Sequence, residues 1–160
     1  MNREKSFLEN EIGSALCQQG KFEVALEHFD KAIKLNPENL DALYSKGSCL
    51  IELNKVEEGM DYYLKILRIS PNDGLTKLIA VLIEYKFGLK RPELNNYLTA
   101  QECLITGEQI YSDIIDDDVD EIQKAIALFS KAIELEPAFL QAINYKDIAL
   151  ERIKKINENE

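Results

Sequence analysis

ALEHFDKAIKLNP occupies residues 25–37, and AIALFSKAIELEP occupies residues 125–137. Each phrase opens on alanine, has phenylalanine at its fifth place, carries Lys-Ala-Ile in the middle and closes on proline. Around the first phrase the apolar positions are Phe22, Ala25, Leu26, Phe29, Ala32 and Ile33. Steps of three and four keep such residues on one face of an α-helix. The same steps counted from Val56 give Val56, Gly59, Met60, Tyr63, Ile66 and Leu67. Counted from Ile122 they give Ile122, Ala125, Ile126, Phe129, Ala132 and Ile133. All are apolar or small, and the fourth is always aromatic. Pro37, Pro71 and Pro137 close the windows. Proline cannot continue a helix, so each window is a helix with a defined end.

A second helix precedes each of the first two windows. SFLE, residues 6–9, reads as a capping box in which Ser6 and Glu9 satisfy each other's backbone N–H groups. Leu8, Ile12, Ala15 and Leu16 then form an apolar stripe, which Leu40, Leu43, Gly47 and Leu50 repeat. Gly13 and Gly47 are separated by the same interval as Pro37 and Pro71. A glycine inside a helix costs about 1 kcal/mol relative to alanine. Two in the same phase predict close approach of the paired helix.

A helix pair with this period, carrying Gly13/Gly47, Ala25/Gly59/Ala125, Phe29/Tyr63/Phe129, Ala32/Ala132 and Pro37/Pro71/Pro137, resembles the tetratricopeptide repeat family. The likeness is specific over residues 6–73, returns over 119–137 and is weak between. The family's usual leading tryptophan is missing, with Glu9 and Leu43 in its place. The resemblance implies an all-α, right-handed superhelical solenoid of about eight helices in one domain, 1–160. Its units are expected at about 6–39 and 40–73, with an irregular third at 74–118, a recovered helix at 119–137 and a capping helix at 138–156.

The pattern breaks in the middle. The interval from Pro71 to Pro137 falls two short of twice the interval from Pro37 to Pro71. DGLTKLIAVLIEYKFG, residues 73–88, reads as the first helix of a third unit, apolar nearly all round. Pro92 interrupts the next stretch, where the template holds only at Leu94, Tyr97 and Ala100. Gly107 leaves open whether residues 93–115 form one helix or two. The fourth unit's first helix is expected near residues 106–118, although its inward places carry Gln109, Ser112, Asp113 and Asp116. Beyond Pro137, residues Phe139, Ala142, Ile143, Lys146, Ala149 and Ile153 share one side, and the opposite side is charged, as a terminal cap requires.

The composition narrows the function. The net charge of −10 disfavours nucleic acid and anionic membrane as partners, because both need a positive footprint. Residues 75–89 form the most apolar stretch, too short and too charged to span a bilayer. The opening MNREKSFLENE has no apolar run, which predicts no secretory leader. Cys17, Cys49 and Cys103 are far apart in sequence and form no zinc spacing, which suits free thiols in a cytoplasmic protein. His28 is the only histidine and is expected on an outward surface. No phosphate-binding loop, nucleophile motif, metal set or cofactor signature is present. DIIDDDVDE, residues 113–121, concentrates six acids but lacks the spaced oxygens and central glycine of a calcium loop. Its simplest role is to begin the next helix, whose dipole favours negative charge.

A non-catalytic protein-binding scaffold or adaptor is the expected function, and the resemblance implies where it binds. In this family the second, fifth, ninth and twelfth places of the first helices face a concave groove. Here the groove candidates are Phe7, Asn10 and Ser14, then Asp41, Tyr44 and Ser48, then Leu78, Leu82 and Tyr85. Family members that clamp the C-terminal carboxylate of heat-shock chaperones place lysine and arginine at such positions. None occurs here, so binding of those tails is not expected. The polar start and apolar far end suit a peptide or helix with aliphatic anchors. Two alternatives stand beside this reading. One is a small dedicated chaperone like those of secretion translocators, although those carry an extension before the first repeat and here the repeat begins near Ser6. The other is homo-oligomerisation through residues 75–87.

Overall fold

The computed structural model describes residues 2–114 and 117–158. Among them are eight α-helices and one 3₁₀ turn, and no strand. The helices are α1 (Asn2–Gln18), α2 (Phe22–Leu35), α3 (Leu40–Glu52), α4 (Val56–Ile69), α5 (Gly74–Phe87), α6 (Ala100–Ser112), α7 (Val119–Leu135) and α8 (Leu140–Glu158). The 3₁₀ turn is Pro92–Asn96. The chain divides into two compact units, Met1–Thr76 and Lys77–Glu160.

In the first unit α1 pairs with α2 and α3 with α4, while α1 and α2 also touch α3. The glycines explain how closely they pair. A Cβ built on Gly13 would lie 2.5 Å from the Phe29 ring, so that ring fills the space a side chain would need. A Cβ on Gly59 would lie 2.8 Å from the Gly47 carbonyl oxygen, so α3 and α4 meet backbone to backbone. Both hairpins turn the same way. Gly20 (φ +74°) and Asn54 (φ +60°), one repeat apart, take the left-handed conformation that ends a helix. After each, a backbone bond reaches back, from Lys21 N to Leu16 O (2.9 Å) and from Lys55 N to Leu50 O (2.8 Å). Ala25, Phe29, Ala32, Ala42, Leu43, Met60 and Leu67 are completely buried.

Two expectations for α1 are overturned. The helix begins four residues before Ser6, which is therefore no N-cap. Ser6 is buried, donates from Oγ to Ala32 O (2.8 Å) and accepts from Asn39 Nδ2 (2.8 Å). Nor do Leu8 and Ile12 face inward; both are exposed, and α1 buries Ser6, Asn10 and Gly13 instead. Leucine and isoleucine marked the wrong face because Phe29 and the first turn of α3 demand small or polar neighbours.

In the second unit α6 pairs with α7, and α8 packs on both. The question of one helix or two in residues 93–115 is answered by a 3₁₀ turn followed by one helix. Leu94 anchors the turn and is completely buried. Thr99 opens α6 with a capping box, its side chain accepting from Glu102 N (3.1 Å) while the Glu102 carboxylate accepts from Thr99 N (2.9 Å). Gly107 sits inside α6 against Phe129, and a Cβ there would meet the ring at 2.6 Å. The first helix of this hairpin is therefore Ala100–Ser112, not residues 106–118. The displacement comes from three more residues between the end of α6 and the start of α7 than between α1 and α2, and from α7 starting three residues ahead of Ile122, the counterpart of Phe22. Tyr145 of α8 stacks on Phe129, with ring centroids 5.5 Å apart.

No second helix pairs with α5 directly after it. Gly88 (φ +66°) turns the chain, and Glu84 holds the turn by accepting from Arg91 N at 2.7 Å. The other Glu84 oxygen pairs with Lys131 Nζ of α7 at 2.7 Å, and both side chains are 4% exposed. Lys131 also reaches Glu134 (3.2 Å), which Lys90 contacts from outside.

Candidate functional site

Along α1, Phe7, Asn10 and Ser14 succeed one another at helical spacing; along α3, Asp41, Tyr44 and Ser48 do the same, each one repeat further on. The helices α1 and α3 that carry the two rows touch within the first unit. Phe7 is 54% exposed, Asp41 is exposed, and Ser14, Tyr44 and Ser48 are half-buried. Asn10 is buried, and its Oδ1 has no hydrogen-bond partner. Leu78, Leu82 and Tyr85 lie on α5 in the second unit; the leucines are half-buried and Tyr85 is 47% exposed.

One residue escaped the sequence reading. Tyr63 fills the slot that Phe29 and Phe129 fill in the other hairpins, but its hydroxyl meets Ser48 Oγ at 2.7 Å. Its ring stands edge-on to Tyr44, with centroids 5.6 Å apart and planes at 84°. Burial pushes the Tyr63 phenol pKa up, only partly offset by the Ser48 bond. Tyr63 thus fixes both Tyr44 and Ser48 from beneath. The available signal was a hydroxyl at a position where the sister hairpins carry phenylalanine. Lys46, the nearest cation downstream on α3, is drawn away: its ammonium pairs with Asp30 and lies 4.7 Å from the centre of the Tyr62 ring. Desolvation pulls its pKa down, yet the Asp30 and Tyr62 contacts raise it overall.

Other candidates resolve into structural roles. His28 is not simply outward: Nδ1 lies 2.7 Å from Glu9 Oε2, and the imidazole is 21% exposed. In the acidic run, Asp118 caps α7 by accepting from Asp120 N (3.0 Å) and Glu121 N (3.2 Å), and Asp117 pairs with Arg152 (2.8 Å). Ile115 and Asp116 of that run lie outside the described residues. Cys49 Sγ donates to Phe22 O at 3.3 Å. Burial pushes the thiols up, Cys49 to about 12 and Cys103 to about 11. Those two thiols stay protonated at neutral pH, the wrong state for a nucleophile. Among the described residues, no group of three or more His, Cys, Asp or Glu side chains is placed to hold a metal ion.

Comparison with known proteins agrees with this architecture. The tetratricopeptide repeat family model matches residues 10–74. Tetratricopeptide repeat protein 37 of Xenopus laevis is 30% identical over 131 residues, covering 81% of this chain and 7% of that protein. The crystal structure of MamA superposes with a TM-score of 0.59 at 19% identity, covering 97% of this chain and 91% of that one. The first such domain of Spaghetti (RPAP3), bound to the HSP90 peptide SRMEEVD, superposes at 0.52 with 13% identity and 95% coverage of both chains. This chain carries the tetratricopeptide repeat over residues 10–74, and its fold class is the all-α solenoid of such repeats. It spans a small part of its curated relatives, from 7% to 22% of their length.

Proposed function

We propose that this chain is a non-catalytic protein-interaction module that holds a segment of a partner protein against α1 and α3. One observation carries the reading. The six groove candidates of the first unit form two rows one repeat apart, each with one aromatic residue, Phe7 or Tyr44, and two polar ones. Tyr63 holds the second row in place, so little ordering remains to oppose binding. The fold favours the same role, and RPAP3 carries a peptide on it. The absence of lysine and arginine from the six positions argues against the acidic tails of heat-shock chaperones as ligands. A cytoplasmic location is part of this proposal.

Affinity capture with wild type and with Tyr44→Glu, both checked for helical content, tests it. Partners that wild type retains and the variant loses are expected. Equal retention would remove the groove from the function. A second reading, self-association through α5, draws on the exposure of Tyr85 (47%) and Phe87 (41%). It predicts a mass that falls on dilution and a monomeric Phe87→Glu variant.

A further inference from the structure

We draw no further inference here: the strongest candidate, the exposed apolar face of α1 at Leu8, Ile12 and Ala15, carries nothing because nothing in the structure shows what covers it.

Discussion

Lys31 and Lys131 occupy the same place in the two copies of the opening phrase. Lys31 is exposed, whereas Lys131 is 4% exposed and paired with Glu84. The hairpins around them are built alike. Gly13 meets Phe29 and Gly107 meets Phe129 through the same three ring atoms at nearly the same distances. Yet the path along the chain from Gly107 to Phe129 is longer by six residues than the path from Gly13 to Phe29. The contact between paired helices is what the repeat preserves. The length of the turn and the neighbour on the outer side are free to change. In the second unit that neighbour is α5, and the phrase's lysine becomes a buried charge because an acid arrives with it.

The buried pair offers the largest test of that difference. Lys131→Met leaves Glu84 buried without its cation, a loss of about 3–5 kcal/mol by precedent for such pairs. Urea unfolding should show it, and hydrogen exchange should confine it to Lys77–Glu160. Adding Glu84→Leu should recover most of the loss, while Lys31→Met should leave stability almost unchanged. Gly13→Ala and Gly107→Ala come next. Each puts a methyl group into a phenylalanine ring, and both should cost about 1–3 kcal/mol by the same measurement. Unequal costs would show that the two hairpins are not equivalent. Asp118→Ala removes the cap of α7 and should cost about 1 kcal/mol, a device that Lys21 and Lys55 do not supply to α2 and α4.

The smallest effect is acid sensitivity in the second unit. Burial pushes the Glu134 carboxyl pKa up, but its bond to Lys90 and the charge of Lys131 outweigh this and hold it below the ordinary glutamate value. Glu102 is lowered in the same way, burial being outweighed by Lys77 and the Thr99 cap. A lowered carboxyl contributes stability that is complete above its unfolded pKa and disappears as pH falls through the folded one. Exchange of the α6 and α7 amides should therefore quicken as pH falls below the ordinary glutamate range. Lys90→Met should reduce the part due to Glu134.

Much of this was legible in the sequence. The repeat period located α1 to α4, Pro37, Pro71 and Pro137 located helix ends, and Gly13 and Gly47 announced close approach. What escaped did so for physical reasons. A fixed period cannot follow a hairpin whose connection has grown, so α6 was sought six residues too late and the role of Gly107 was left open. Apolar residues mark a buried face only when the partner surface is apolar too, so Leu8 and Ile12 misled. The groove rows follow only from the family resemblance, and the support that Tyr63 gives Tyr44 and Ser48 depends on atoms that only folding brings together.

Ser6 carries a consequence for how the chain acquires its structure. Its hydroxyl gives its proton to a carbonyl at the end of α2 and accepts one from the residue that caps α3. Half of that arrangement is of little use, since an unpaired buried hydroxyl is penalised. The first helix, the end of the second and the start of the third therefore gain by assembling together. The elementary step of folding in this half of the molecule is larger than one repeat, and the boundary between the first two repeats lies inside a cooperative block.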